Sequence, residues 1–289
     1  MKPAAFDYHR PRTLDEALAL LAEHGADAKP LAGGQSLIPA MNFRLATPAV
    51  LVDLNALGEL SYIRSENGSL FLGGMTRQRA IERSEVVAHQ APLLAETMPF
   101  IAHPAIRNRG TVGGSLAHAD PAAELPAVML ALDARLTVRN REGSRRIPAS
   151  DFFTGLFSTA LQPGELLTEI EIPRVAARTG WAFQEISRRH GDFALVGVAA
   201  SVTVDDRGRC AGARVVLHSV GDRPVAAARA AQVLDGQMPS AESIRAAADA
   251  AATQDIDPPG DIHASSRYRR QLAAVLTRRV LERAFARAV

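Results

Sequence analysis

Residues 111–124 combine backbone and side-chain groups that suit a ligand carrying phosphates and hydroxyls. Two adjacent glycines let backbone N–H groups approach a ligand that a Cβ atom would hold off. Hydroxyl side chains flank the glycines, and two carboxylates follow at a spacing that suits the hydroxyls of a sugar. The candidate ligand-binding residues of this segment are Thr111, Gly113, Gly114, Ser115, Asp120 and Glu124.

A second loop of the same kind lies upstream. Its residues are Leu31, Ala32, Gly33, Gly34, Gln35, Ser36 and Leu37. Alone, this loop has an alternative interpretation as an ordinary tight turn. Two such loops in one chain instead predict a long, phosphate-containing cofactor held from both sides, because consecutive N–H groups bind phosphate oxygens without a basic side chain. The chain has no G-x-G-x-x-G after a first strand and no Gly-Lys-Ser/Thr, so neither a Rossmann site nor a P-loop is supported.

Some polar residues near the loops keep two interpretations at this stage. Asp120 either binds the cofactor or caps a helix that begins near Pro121. His103 and His118 are candidates for proton transfer, but no Ser or Cys nucleophile pattern accompanies them. Packing or hydrogen bonding within the loops is therefore the favoured interpretation of both histidines.

Composition narrows the class of protein. The chain has 289 residues, 47% of them hydrophobic, and a net charge of +2, which predicts a sizeable core and more than one domain. Its Arg residues are scattered among acidic ones, which argues against nucleic-acid binding. Cys210 is the single cysteine, so the chain cannot hold an internal disulfide, an iron–sulfur cluster or a thiolate zinc site. No signal core or membrane-spanning apolar run is found, so we expect a cytoplasmic protein that reaches a membrane only through a partner.

Hydrophobic periodicity predicts an α+β chain whose strands and helices position the two loops. A capping box at Thr13 and Glu16 begins the first helix. Thr76 is expected to cap a helix that ends near Ile81, and another helix is predicted over 122–132. The predicted strands lie at 29–32, 49–54, 69–74, 134–139, 167–172, 181–187, 194–204 and 213–219.

The pattern of elements changes near residue 178. We expect one domain over 1–176, with subdomains of about 1–55 and 56–176. The remaining residues, 177–289, are expected to form a domain with a three-stranded antiparallel sheet followed by helices.

Several segments resemble the FAD-binding medium subunits of the molybdenum hydroxylase family, which includes xanthine dehydrogenase and carbon monoxide dehydrogenase. They are 31–39 with 41–45, 103–124, 187–194 and 268–270. The similarity covers nearly the whole chain in the same order and is greatest to the carbon monoxide dehydrogenase medium-subunit type. It implies a two-subdomain FAD-binding domain of the vanillyl-alcohol-oxidase/p-cresol methylhydroxylase type, followed by the C-terminal domain of the carbon monoxide dehydrogenase flavoprotein.

The resemblance also implies roles for single residues in the FAD-binding domain. Residues 32–36 would cradle the FAD pyrophosphate, and Ile101 and Ala102 would line the flavin side. The phosphate–ribityl region would be contacted by Thr111, Gly113, Gly114 and Ser115. Glu124 stands where relatives often have an Asp that binds a cofactor hydroxyl.

Three further positions complete the implied site. Leu167 would supply a backbone contact. Gln184 stands where some relatives carry a Lys near the flavin, and Phe193 where they often carry a Tyr. These two departures remove a charge and a hydroxyl from the implied site.

The implied cofactor of this chain is FAD, with a molybdopterin cofactor and two [2Fe–2S] clusters on partner subunits. The implied partners are a large molybdenum-cofactor subunit and a small iron–sulfur subunit, in a dimer of heterotrimers. Electrons would pass from the clusters through FAD to an external acceptor, and the chain itself would supply no catalytic residue and no metal ligand. The alternative is a free-standing FAD-dependent oxidoreductase, which would need its own substrate cavity and acid–base residues.

Overall fold

The computed structural model describes residues 2–288, which form three β-sheets and one two-stranded hairpin. The first sheet is parallel, with strand order β1-β3-β2. Its elements are β1 (Asp7–His9), α1 (Leu14–His24), β2 (Ala28–Leu31), α2 (Leu37–Asn42) and β3 (Val50–Asp53). The central strand β3 is buried at every position, as expected of a parallel strand covered on both faces. The first glycine loop is therefore the connection from β2 to α2.

Helix α1 begins at the predicted cap. The Thr13 hydroxyl accepts a hydrogen bond from the N–H of Glu16 at 3.2 Å. The apolar positions of α1 share one face of the helix and pack in the core of the first sheet. They are Leu14, Ala17, Leu18 and Leu21. The predicted Thr13 cap and the strands predicted at 29–32 and 49–54 are confirmed.

The second sheet is antiparallel and has the strand order β4-β5-β10-β6-β7. Its strands are β4 (Ile63–Glu66), β5 (Ser69–Gly73), β6 (Arg135–Arg139), β7 (Ser144–Pro148) and β10 (Leu166–Ile172). Between β5 and β6 lie helices α3 (Gln78–Glu82), α4 (Glu85–Gln90), α5 (Pro92–Thr97), α6 (Pro104–Arg107), α7 (Val112–His118) and α8 (Glu124–Ala131). Between β7 and β10 lie α9 (Ala149–Phe152) and the hairpin of β8 (Phe153–Gly155) and β9 (Ser158–Thr159). The second glycine loop thus forms α7 and its flanks.

The third sheet is also antiparallel, with order β11-β12-β13-β14. Its strands are β11 (Thr179–Ser187), β12 (Ala194–Val204), β13 (Cys210–His218) and β14 (Val225–Ala226). The helices that follow are α10 (Ala228–Leu234), α11 (Ala241–Ala250), which continues as a π-helical turn over Ala251–Asp255, and α12 (Ser266–Arg287). The three long strands are the predicted ones, and the two-residue β14 adds a fourth that the sequence did not indicate.

Two helix starts differ from the prediction. Thr76 does not cap a helix: its hydroxyl donates to the Tyr62 carbonyl at 2.8 Å, and α3 begins only at Gln78. The helix predicted from residue 122 begins at Glu124, because the preceding residues form a tight turn.

One face of the third sheet packs against the helices that cover the second sheet. Phe183, Ala199 and Val216 lie side by side on β11, β12 and β13 and belong to the same apolar core as α5 and α8. Glu96 at the surface of this junction binds Arg283 and, at 2.5 Å, Arg287, both on α12. Apolar packing and this ion cluster together hold the third sheet beside the glycine loops.

Candidate functional site

The two glycine loops touch each other through their backbones. A Cβ atom at Gly33 would lie 2.4 Å from the Arg109 carbonyl oxygen and 2.8 Å from the Cα of Gly110. A Cβ at Gly114 would lie 3.2 Å from the Cβ of Ala32. Side chains at these positions would hold the loops apart, so the glycines are needed for loop-to-loop contact.

The loops differ in whether their N–H groups are engaged. In the second loop, the N–H of Gly113 donates to the Gly74 carbonyl at 2.9 Å, and the N–H of Gly114 donates to Thr111 Oγ1 at 3.0 Å. In the first loop, no hydrogen bond within residues 2–288 uses the N–H of Gly33, Gly34, Gln35 or Ser36. The glycine N–H groups of the second loop are therefore engaged within the chain, whereas those of the first loop are not.

Two further features of the first loop suit a bound anion. Gly34 has a φ of +72°, which turns the chain in a way that favours glycine. Ser36 precedes the first turn of α2 and makes no capping hydrogen bond with its side chain. Consecutive unengaged N–H groups at the start of a helix attract phosphate oxygens.

Two polar side chains that the sequence analysis missed join the loops. Asn55 donates to the Ala32 carbonyl at 2.9 Å, and Arg77 donates to Asn55 Oδ1 at 2.6 Å. Arg77 also donates to the Arg109 carbonyl. The sequence position of Asn55 could have identified it, because it closely follows the predicted strand β3. Ligands commonly bind at the edge of a sheet where neighbouring parallel strands end.

Gly74 lies between the second loop and Leu167, the residue predicted to supply a backbone contact to the cofactor. A Cβ at Gly113 would meet the Gly74 carbonyl at 2.5 Å, and a Cβ at Gly74 would meet the Leu167 carbonyl at 2.4 Å. Thr111, which accepts the Gly114 N–H, is itself only 2% exposed. Ser115, which follows Gly113 and Gly114 in α7, is only half-buried, so part of its side chain remains exposed to solvent.

The predicted flavin-side residues form a strained turn. Ala102 has a φ of +45°, a region that non-glycine residues rarely occupy and that is common at functional sites. Arg107 holds the turn by donating to the Ile101 carbonyl at 2.7 Å and to the Ala102 carbonyl at 3.3 Å. Arg107 is buried and is paired with Glu82 at 2.9 Å. No sequence pattern singled out this arginine.

The loop between β11 and β12 reaches the same turn. A Cβ at Gly191 would lie 2.3 Å from the His103 ring, and the His103 and His190 rings are 6.4 Å apart. Phe193, at the end of this loop, is 66% exposed. The structure therefore brings the Phe193 loop beside Ile101 and Ala102, and His103 serves here as a packing residue.

The end of the second loop carries the two predicted carboxylates. Asp120 Oδ1 accepts the N–H of Ala122 at 2.9 Å, which makes a turn and not the cap of α8, whose N-cap is Ala123. Glu124 is buried, and this burial raises its pKa to about 7, with a further contribution from the charge of Asp120. The capping interpretation of Asp120 is wrong, while Glu124 is poised to change charge near neutral pH.

The remaining predicted residues lie around this assembly. Gln184 is half-buried on β11, opposite Val198, and Leu31 and Leu37 flank the first loop at the end of β2 and the start of α2. His118 packs on Phe157 at 5.1 Å between ring centroids. Within residues 2–288, no three His, Cys, Asp or Glu side chains are grouped closely enough to hold a metal ion. No helix in this described part is long and apolar enough to cross a membrane.

Both halves of the chain match known protein families. Residues 4–175 match the family described as the FAD binding domain in molybdopterin dehydrogenase, and residues 181–284 match the CO dehydrogenase flavoprotein C-terminal domain. The chain is an FAD-binding medium subunit of the molybdenum hydroxylase family. This membership confirms the resemblance and the fold class expected from the sequence.

Relatives of this family match along the full length of the chain. The 6-hydroxypseudooxynicotine dehydrogenase complex subunit alpha of Paenarthrobacter nicotinovorans is 43% identical and covers 100% of this chain and 97% of its own. The carbon monoxide dehydrogenase medium chain of Afipia carboxidovorans is 41% identical, covering 100% and 99%. The solved carbon monoxide dehydrogenase of Hydrogenophaga pseudoflava superposes with a TM-score of 0.96 at 39% identity, covering 99% of each chain.

Proposed function

We propose that this molybdenum hydroxylase medium subunit binds the FAD pyrophosphate on the N–H groups of Gly33, Gly34, Gln35 and Ser36. The observation that carries this proposal is that these four N–H groups have no partner within residues 2–288, although the loop is fixed against its neighbour. Two phosphate groups supply enough acceptor oxygens for all four. A loop with no acidic side chain suits an anion.

Other predicted residues have narrower roles in this proposal. The second loop positions the first through Gly114 and presents the Ser115 hydroxyl at the ribityl side, while the buried Thr111 hydroxyl supports this region by fixing the Gly114 N–H. The Ile101–Ala102 turn and the Phe193 loop lie together and line the flavin side. Glu124 accepts a cofactor hydroxyl when it is ionised. When bound, FAD accepts electrons singly or in pairs, which suits a subunit between one-electron [2Fe–2S] clusters and an external acceptor.

The assembly we propose is a dimer of heterotrimers with a large molybdenum-cofactor subunit and a small iron–sulfur subunit. Support comes from the relatives' names, which describe medium chains or subunits of dehydrogenase complexes, and from the single cysteine. We place the domain boundaries at 1–176, with subdomains 1–55 and 56–176, and at 177–289. We further propose a cytoplasmic complex, with any membrane attachment made through partner subunits.

The substrate is selected elsewhere in the complex. A nicotine derivative, carbon monoxide and quinoline appear in the names of relatives that are 39–43% identical to this chain. Medium subunits of similar sequence thus belong to complexes named for different substrates. This supports our proposal that the substrate is oxidised at the large subunit.

Titration of FAD into the purified full-length chain, followed by equilibrium dialysis, tests the binding site. We expect one FAD per chain and no oxidation of carbon monoxide, aldehydes or N-heterocycles without partner subunits. Absence of FAD binding would refute the cofactor site. Substrate turnover by the isolated chain would instead favour the free-standing oxidoreductase.

A further inference from the structure

Glu185 and His218 face each other across three neighbouring strands. Glu185 on β11 is paired in register with Gly197 on β12, and Gly197 is paired with His218 on β13. A Cβ at Gly197 would lie 1.8 Å from His218 Nε2. The imidazole therefore extends over the glycine, and its Nε2 lies 3.8 Å from Glu185 Oε2. Only a glycine in the middle strand allows these two side chains to approach.

The facing atoms are buried and lack other partners. Side-chain exposure is 0% for His218 and 4% for Glu185. Within residues 2–288, neither His218 Nε2 nor Glu185 Oε2 has a hydrogen-bond partner. The Phe183 ring stacks on the imidazole with 5.9 Å between centroids and 10° between planes. Water is therefore excluded from one side of the pair. At 3.8 Å the two atoms face each other as nearest polar neighbours, but this distance is longer than a hydrogen bond.

The other imidazole nitrogen indicates where the proton lies. Ser219 Oγ is 3.3 Å from His218 Nδ1, and the backbone of Ala122 also hydrogen-bonds the ring. A neutral imidazole carries one N–H and one acceptor nitrogen. With the N–H at Nδ1 directed to these oxygens, Nε2 remains an acceptor that faces Glu185. A protonated Glu185 carboxyl can donate to it, whereas an ionised one cannot.

Burial favours the same distribution of charge. It lowers the pKa of His218 to about 4 and raises the pKa of Glu185 to about 8, with a further increase from the charge of Glu124. At neutral pH the proton therefore resides on the carboxyl group, and the pair has no net charge.

The surrounding charged groups are mostly acidic. Glu124 and Asp120 approach from the end of the second glycine loop, and Glu96 on α5 accepts the N–H of Phe183 at 3.2 Å. From α12, Arg283 donates to the Phe183 carbonyl at 3.2 Å and binds Glu96. Since Glu96 is paired with two arginines, the acids near this junction that form no ion pair with an Arg or Lys within residues 2–288 are Glu185, Glu124 and Asp120. His118 lies within electrostatic range of both Asp120 and Lys29. Ionisation of Glu185 would oppose ionisation of Glu124.

We propose that a proton held on the buried Glu185 carboxyl, which faces His218 Nε2, neutralises this junction and so allows Glu124 to ionise and accept a hydroxyl of FAD. Glu185 and His218 are thus positioning residues for the cofactor site, and the inference rests on the proposed FAD-binding function. When Glu185 loses its proton to solvent at higher pH, its charge repels that of Glu124. FAD affinity then falls.

NMR of the full-length chain with ¹³C/¹⁵N-labelled histidine tests without any cofactor whether His218 is neutral and the proton resides on Glu185. Between about pH 5.5 and 8, we expect His218 to be neutral with its proton on Nδ1, and its signals to shift only where Glu185 ionises. In the Glu185→Gln variant, an amide N–H replaces the carboxyl donor, so this shift should vanish. A positively charged His218 near pH 7 would overturn the proposal, and the wild-type spectrum alone decides this point.

FAD affinity at pH 7.5 and 9 tests the coupling to the cofactor site. Wild-type affinity should fall by up to about eightfold, which is the ratio of protonated fractions for a pKa of about 8. Glu185→Gln should keep the same affinity at both pH values, and the exposed control Glu66→Gln should follow wild type. Equal wild-type affinity at both pH values would refute the coupling. Absence of FAD binding at either pH would refute the cofactor site and leave the NMR result standing.

Discussion

Replacing Gly33 with Ala perturbs the contact on which the proposed pyrophosphate cradle depends. The new Cβ would lie 2.4 Å from the Arg109 carbonyl oxygen and 2.8 Å from the Cα of Gly110. Both are backbone atoms, so neither can rotate away. Favourable contact between heavy atoms begins near 3.5 Å, so the loops must separate by about 1 Å. The same carbonyl accepts from Arg77, so the displacement also disturbs the bridge through Asn55.

The expected magnitude follows from the cost of overpacking. An added methyl group in a packed site costs about 1–3 kcal/mol. A displacement of about 1 Å also moves N–H groups out of hydrogen-bonding range of a phosphate held by the rest of the site. We therefore expect FAD affinity to fall by roughly 5- to 150-fold, since each 1.4 kcal/mol corresponds to a factor of ten.

The assay is titration of FAD into the purified variant, monitored by quenching of flavin fluorescence. Gly143→Ala is the matched control, because a Cβ there meets no atom within 4 Å. Circular dichroism and the thermal midpoint establish that both variants fold. A folded Gly33→Ala variant with wild-type FAD affinity would refute the argument that loop contact positions the cradle.

Three further predictions follow from buried charged groups. Because the pKa of Glu124 is about 7, its ionised fraction falls about eightfold from pH 7.5 to 6, and FAD affinity should fall by the same factor. Equilibrium dialysis of the Glu124→Gln variant should show weak FAD binding that does not change between these two pH values. Arg107→Met should lower the free energy of unfolding, measured by urea denaturation, by about 3 kcal/mol, because it removes a buried partner of Glu82 and the donor to the Ile101–Ala102 turn. The control Arg79→Met removes a contact with Glu82 that does not reach the turn, so it should cost about 1 kcal/mol or less. Equal losses in the two variants would contradict this account. The folded chain holds the Glu185 proton more tightly than the unfolded chain does, so Glu185 itself lowers the free energy of unfolding by about 3 kcal/mol between about pH 4.5 and 7, while the lowered pKa of His218 acts in the opposite direction below about pH 6.5. The difference in the free energy of unfolding between Glu185→Gln and wild type should therefore grow by about 3 kcal/mol from pH 4.5 to 7, and a difference that stays constant with pH would show that Glu185 does not titrate in this way.

The strands missed by sequence analysis are all edge strands or parts of a short hairpin. β4 and β7 form the two edges of the second sheet, β1 is an edge of the first, and β14 is an edge of the third. The sequence of β7 is Ser-Arg-Arg-Ile-Pro and that of β4 is Ile-Arg-Ser-Glu. Edge strands are short and charged because this discourages pairing with other chains. Hydrophobic periodicity consequently finds the central strands and the edge strands β2 and β11, but not these.

The glycine loops were found from sequence, but the reason for their glycines was only partly foreseen. Spacing and residue type indicated a cofactor cradle at both loops. In the structure, Gly113 and Gly114 instead meet Gly74 and Ala32, residues far away in the chain. Such packing depends on the tertiary arrangement and leaves no local pattern. The Glu185–His218 pair was missed for the same reason, because only strand register brings the two residues together.

Native purification followed by subunit, flavin and metal analysis tests the central claim most directly. We predict that this chain copurifies with one larger and one smaller subunit, with FAD on this chain, molybdenum on the large subunit and iron as two [2Fe–2S] clusters on the small one. After dissociation, the isolated chain should keep or rebind FAD without oxidising the substrate of the complex. A chain that purifies alone with FAD and oxidises a substrate would contradict the account, as would a complex whose flavin resides on another subunit.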